Sequence, residues 1–182
     1  QQEAGVEEQS YGRVHLGYAR ALNTASLINV AFSVEQREAV AFQPQGDRIQ
    51  TLRGSYVTAL PNADVLTATP IGSQYQTAYA GQSSVTIGGD LGYDIARDFG
   101  PVNLSFAAGI YQGDFAGYTL ATIEVPGGRQ DLTSYIEMDM LFPRVEYSGF
   151  APVLTLRRQV TSSNVSRFNS ESTSISLGIQ ST

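Results

Sequence analysis

The chain has 182 residues, 42% of them hydrophobic and only 15% charged, with 17 acids against 11 basic residues and a net charge of −6. That length suits one domain with a sizeable core or a closed barrel, and an acidic balance with no basic run argues against nucleic acid as a partner. All the basic residues are arginine, and there is no cysteine, which excludes disulfides, zinc-thiolate sites and thiol chemistry together. No apolar run approaches the roughly 20 residues of a membrane-spanning helix. Gln1 opens the chain without a basic-then-apolar leader, which reads as a mature protein from which a signal peptide has been cut.

Alternation with period two runs along almost the whole chain, and period two is the signature of a two-faced β-strand. "YGRVHLGYARA" sets Val14, Leu16 and Tyr18 against Arg13, His15 and Gly17. "SLINVAFSVEQR" sets Ile28, Val30, Phe32 and Val34 against Asn29, Ser33, Glu35 and Arg37. "RIQTLRGSYVTAL" alternates less cleanly, with Leu52 and Tyr56 against Arg53 and Ser55. "SSVTIGGDLGYDI" and "PVNLSFAAGIY" follow, with Ile87, Leu91, Phe106 and Ile110 on their apolar sides. "SYIEMDMLF" opposes Ile136, Met138 and Met140 to Glu137 and Asp139, and "PVLTLRRQV" opposes Leu154 and Leu156 to Thr155 and Arg157. The last strand is "ISLGIQST", where Ile175, Leu177 and Ile179 alternate with serine, glycine and glutamine. Residues 63–80 and 113–131 hold room for further short strands that the pattern does not place.

The expected fold class is all-β, an antiparallel transmembrane β-barrel of about eight clear strands over residues 10–182, with residues 1–9 as a periplasmic extension. In such barrels short turns face the periplasm and longer loops face outward, with both termini periplasmic. The connections near "ARDFG" and "PRVEYSG" are short, and those at 61–82 and 112–133 are long. Two depart from this alternation: the first, around Asn23, is too short and the second, 38–48, rather long. A soluble barrel would turn its apolar face inward and carry charge outside, yet the polar faces here are mostly Ser, Gly, Thr and Asn. The membrane reading is therefore preferred to a soluble sandwich. It requires closure, because unpaired strand edges cannot face lipid, and the terminal strand is expected to seal against the first. Arg13, His15, Arg37, Arg53, Glu137, Asp139 and Arg157 are expected to face the lumen. Tyr11, Tyr18, Tyr93, Phe99, Tyr111, Phe142, Tyr147 and Phe150 lie mostly near strand ends and read as interfacial girdles.

The C-terminal third carries an Arg-x-Asp before a strand (Arg129, Asp131), a Gly-Phe-x-Pro (Gly149, Phe150, Pro152) and a Ser-Asn pair (Ser163, Asn164), followed by an aromatic and the closing strand. In that order and spacing, residues 113–182 resemble the end of the surface lipoprotein assembly modifier (Slam) barrel family. The resemblance implies an outer-membrane barrel that helps to move lipoproteins or related cargo to the cell surface. Family members typically pair a larger barrel with an N-terminal helical-repeat domain.

Chemistry has little purchase. His15 is the only histidine, which rules out a His-cluster metal site, and no serine stands at a spacing that would make it a nucleophile. "GGDLG" (Gly88 to Gly92) lies in a strand pattern with no helix after it, so it reads as a place where another side chain or backbone approaches, not a phosphate loop. "EVPGGRQD" carries a turn signal. No catalytic residue, metal or cofactor is expected. The expected location is the bacterial outer membrane, with lipid around the barrel and a protein partner or cargo at the long loops. A small structural or adhesion-type barrel that binds without transporting is the second reading. A channel is the weakest, because an interior of about eight strands is just filled by side chains.

Overall fold

A computed structural model describes residues 11–37, 46–79, 81–120 and 122–181. The expected periplasmic extension, residues 1–9, lies outside them. Nine long strands form one sheet: β1 (Tyr11–Ala21), β2 (Ser26–Arg37), β3 (Arg48–Ala59), β4 (Val65–Gln76), β5 (Ser84–Asp94), β6 (Asn103–Phe115), β9 (Arg129–Leu141), β10 (Phe150–Ser163) and β11 (Ser170–Ser181). They lie side by side in chain order, each antiparallel to the next. Between β6 and β9 the chain makes a two-residue-per-strand hairpin, β7 (Thr119–Leu120) with β8 (Ile123–Glu124). Strands of 11 to 14 residues exceed the ordinary length of strands in globular proteins.

Strand β4, "VLTATPIGSQYQ", is the element that alternation alone does not place. It is central, yet it contains Pro70, a residue otherwise confined to edges and bulges because it has no N–H to give. The β3–β4 ladder accordingly breaks between Arg53↔Ile71 and Tyr56↔Ala68 and resumes on the other side of the proline. With β4 counted, the two irregular connections make sense. Residues 22–25, 60–64, 95–102 and 142–149 link strands at one end of the sheet, the short-turn end. Residues 38–47, 77–83, 116–128 and 164–169 link them at the other, called the long-loop end because it carries the two longest connections, 38–47 and 116–128.

The same strand corrects two expectations. With nine strands in an up-and-down order, β1 and β11 run in the same direction, so residues 11 and 181 lie at opposite ends of the sheet. And β11 does not seal against β1: its partner is β10, β1's partner is β2, and the sheet is open at both edges.

Directly opposed residues share a face, so the registers sort the side chains. One face carries Val14, Leu16, Ile28, Val30, Phe32 and Leu52, then Leu66, Ile87, Leu91, Phe106, Ile110 and Ile136, and finally Met138, Leu154, Leu156, Ile175, Leu177 and Ile179. Among the described residues no second layer covers it. Ile87 is 65% exposed, Ile136 64%, Leu177 76%, and among the described residues the only buried apolar side chains are Tyr118, Ala151 and Val165.

The opposite face is polar and interlocked. The Tyr111 and Tyr135 rings stack with centroids 6.4 Å apart and planes 8° from parallel. Gly88 and Gly109 stand directly across from these tyrosines. A Cβ at Gly88 would run into the Ile110 carbonyl and the Tyr111 ring, and one at Gly109 into the Tyr135 ring and the Asp90 carboxylate. "GGDLG" is thus where the β6 ring of Tyr111 lies down over Gly88, while the β9 ring of Tyr135 lies over Gly109 of β6 and reaches Asp90 with its hydroxyl. Tyr111 belongs to this stack in mid-strand and not to an interfacial girdle, because the space over a glycine lets a large ring lie flat on the polar face. Replacing Gly88 by valine should cost about 1–3 kcal/mol of stability through overpacking, measured by guanidinium unfolding in detergent. Gly72→Val, where nothing lies within 4 Å of an added Cβ, should stay close to wild type.

Candidate functional site

At the long-loop end, two connections and the end of β6 bring aromatic rings to one arginine at the start of β9. Arg129 opens β9, and its guanidinium carbon lies 3.5 Å from the Phe115 ring centroid, 4.0 Å from Phe168 and 5.1 Å from Tyr118. Phe115 ends β6, Tyr118 sits in the following connection, and Phe168 belongs to a 3-10 turn, Ser166–Phe168, between β10 and β11. Cation–π attraction is strongest where the cation is shielded from water, and the Arg129 side chain is only 13% exposed. Its Nε lies 3.2 Å from Asp131 Oδ2, but off line for a hydrogen bond, so charge attraction holds the pair. Arg167 donates to the Tyr118 hydroxyl and lies 4.8 Å from the Phe168 ring centroid. Tyr118 and Phe168 meet edge to face, centroids 5.6 Å apart.

Asn164 clamps the arrangement. Its Oδ1 accepts the Gln130 N–H at 2.8 Å, its Nδ2 donates to the Gly128 carbonyl at 2.9 Å, and its own N–H donates to the Gln130 carbonyl at 3.1 Å. Ser163 lies across from Asp131 in the β9–β10 register, and its Oγ accepts the Val165 N–H at 3.1 Å. The Pro-Gly-Gly stretch delivers the chain into β9: Gly127 and Gly128 adopt φ of 78° and 76°, values that glycine tolerates and other residues rarely do. A concavity of ≈ 410 Å³ opens beside the cluster, lined by Tyr75, Gln82, Phe115, Tyr118, Arg129 and Arg167. It offers two cations among aromatic rings, a setting that takes an anionic or aromatic group.

Arg129, Asp131, Ser163 and Asn164 therefore form one cluster, although more than thirty positions separate the two pairs in sequence. Gly149, Phe150 and Pro152 stand at the far end of β10. There Ser148 and Gly149 turn the chain with φ of 53° and 82°, Phe150 bridges back to Tyr147, and Pro152 opposes Ile179.

By register, Arg13, His15, Arg37, Arg53, Glu137, Asp139 and Arg157 all share the polar face. They do not form one cluster. Arg157 meets Glu137 at 3.2 Å and lies 3.8 Å from the Tyr135 ring centroid, while the Tyr135 hydroxyl donates to Asp90 at 2.5 Å. Thr155 donates to Asp139 at 2.5 Å, and Arg37 pairs with Glu35 at 2.8 Å. Among the described residues no group of three or more metal-ligating side chains gathers.

Sequence reasoning missed Asp64, Asp90, Tyr118 and Arg167. Asp64, 5% exposed, accepts from the Tyr93 hydroxyl, from the Ala96 N–H at 2.9 Å and from Asn62 Nδ2 at 2.6 Å, tying the 60–64 turn to the β5–β6 connection. The Asn-x-Asp spacing in "PNADV" is a local turn signal, but the partners from β5 were not legible. The Tyr93 hydroxyl first, then the Ala96 amide, hold the Asp64 carboxyl below its ordinary range.

Two outcomes follow. Arg129→Gln leaves Asp131 without its cation and should cost about 2–3 kcal/mol, less than a fully buried pair because both side chains keep some exposure. Adding Asp131→Asn should recover part of that loss in a double-mutant cycle of unfolding free energies. For Asp64, whose folded value lies below the unfolded one of about 4, the stabilisation is present at neutral pH and is lost as pH falls through the folded value. The gap in unfolding midpoint between wild type and Asp64→Asn should be widest near neutrality and close below about pH 4.

Comparison with protein-family models, with curated proteins and with solved structures finds no match.

Proposed function

We propose that this chain is a bacterial outer-membrane β-barrel component, its apolar face against lipid, that assists the surface export or display of a partner protein at its long-loop end. The observation that carries the membrane setting is the division of the sheet's two faces. Among the described residues the apolar face continues across all nine strands with no covering layer and carries few charges: Arg20, Arg48 and Asp114 toward strand ends, and Arg158, in mid-strand, paired with Glu171 at 2.6 Å. Exposed apolar area on that scale marks an interaction with lipid or protein. Each such Leu or Ile gains about 1.5–3 kcal/mol when taken out of water.

The export role draws on the resemblance to the Slam barrel end. The convergence of Arg129, Asp131, Ser163 and Asn164 supports it, since those residues build a preformed surface beside the longest connection. A structural or adhesion-type barrel is the second reading. It is favoured by the Tyr111–Tyr135 stack and the Arg157–Glu137 pair, which lie across the polar face and would help to fill the interior of a small cylinder.

Folding into lipid vesicles, read by a heat-modifiable gel band, tests the setting. Ile87→Arg should impair insertion by about 2–4 kcal/mol as a lipid-facing charge, and Thr86→Arg, on the polar face, should be tolerated. Equal damage at both positions, or a well-behaved monomer without detergent, would sink the membrane reading. For the role, surface labelling of a host strain lacking the protein should reveal a surface protein that wild type restores and Arg129→Gln does not. An unchanged surface profile favours the structural barrel.

A further inference from the structure

The concavity beside Arg129 is walled by segments that lie far apart in sequence. Tyr75 comes from β4, Gln82 from the 77–83 connection, Phe115 and Tyr118 from the end of β6 and the stretch after it, and Arg167 and Phe168 from the turn between β10 and β11. Two of these walls touch through backbone. A Cβ on Gly81, whose φ is 69°, would stand 2.7 Å from the Tyr118 Cα and 2.8 Å from the Gly117 carbonyl oxygen. The hollow is therefore shaped by the fold before any ligand arrives, which spares the ligand the cost of ordering it. Its ≈ 410 Å³ suits a small molecule.

The lining holds two guanidinium groups and no acid. The Arg129 Nε is buried without a hydrogen-bond acceptor, and none of the other Arg129 N–H groups donates to an acceptor among the described residues. Arg167 gives an N–H to the uncharged Tyr118 hydroxyl and meets no carboxylate among the described residues. Guanidinium donors left open in a hollow call for an oxyanion, and their planar fork matches a carboxylate. Two acids stand outside the lining: Asp131, 3.2 Å from Arg129, and Asp47, which accepts from the Tyr75 hydroxyl at 2.8 Å. They repel a doubly charged phosphate more than a singly charged carboxylate. Four of the eight lining residues are aromatic, so the body that carries the charge meets ring faces and edges, which a flat ring packs against best.

We propose that this concavity binds a small carboxylate carried on a planar ring, with N–H groups of Arg129 and Arg167 on the carboxylate oxygens and the Tyr75 and Tyr118 rings against the body. The assignment goes beyond the export reading and does not depend on it, because the fold alone builds the hollow.

Benzoate is the probe, titrated by calorimetry into the full chain folded in detergent or in water, with a β-sheet circular dichroism spectrum as the check on folding. One benzoate per chain is the expected result. Acetate, which has the charge without the ring, and benzyl alcohol, which has the ring without the charge, should each bind about tenfold more weakly or worse. Arg167→Gln should weaken benzoate by about tenfold or more. Arg144→Gln, which removes the same charge from the 3-10 turn at the short-turn end, should leave binding unchanged. Where Arg167→Gln does not fold, the comparison of probes on the wild-type chain decides. Benzyl alcohol bound as tightly as benzoate, equal losses in the two arginine variants, or no saturable binding to a folded chain would overturn the site. Inorganic phosphate bound more tightly than benzoate would overturn the carboxylate assignment. These results leave vesicle insertion and surface labelling untouched, so the site and the export reading fail separately. A chain that folds in neither medium removes the hollow and the site together.

Discussion

The apolar face of the nine-stranded sheet is the constraint that the other features answer to. From Val14 on β1 to Ile179 on β11 it presents aliphatic and aromatic side chains, and no helix, second sheet or connection of the described chain lies over it. Globular domains cover such a face with a second layer; here Tyr118, Ala151 and Val165 are the only buried apolar side chains among the described residues. In the membrane setting proposed above, lipid covers such a face without needing a complementary shape.

With hydrophobic burial left to the surroundings, the polar face has to give the sheet its internal cohesion. It does so with a small number of specific devices. Rings from β6 and β9 lie over glycines of β5 and β6, Tyr135 reaches Asp90 two strands away, and Arg157 joins the ring stack to Glu137. Each contact crosses from one strand to another, and the Tyr135–Asp90 hydrogen bond skips the strand between, so the face resists shear between strands as well as separation. Charges on this face are partly shielded by one another, which is why they tend to appear as pairs and not as a solvated fringe.

The two ends are finished differently. At the short-turn end a buried carboxylate, Asp64, gathers Tyr93 from β5, the Ala96 amide from the β5–β6 connection and Asn62 from its own turn, and it depends on remaining ionised. At the long-loop end a desolvated guanidinium, Arg129, gathers aromatic rings from three segments. An acid holds donors and a cation holds π-faces, so the first end is tight and polar while the second keeps a concavity. Strand β10 connects them, which is why its sequence carries motif residues at both extremities.

Much of this was legible in the sequence because alternation is local. A period of two can be read within a single strand, and it assigned eight of the nine long strands and sorted the side chains at Ile87, Phe106, Glu137 and Arg157 between faces. Strand β4 was not legible, since Pro70 and a run of Thr, Gly and Ser blur the pattern, and only the neighbouring ladders hold such a segment in the sheet. Missing one strand inverted the direction of everything before it and turned an apparent even barrel into an open sheet with parallel edges. The Arg129 cluster shows the same division. Its residue types and spacings stood out along the chain, but their meeting depends on the β9–β10 register and on a turn that carries Phe168 back, and distances across a sheet are set by pairing, which no single strand encodes.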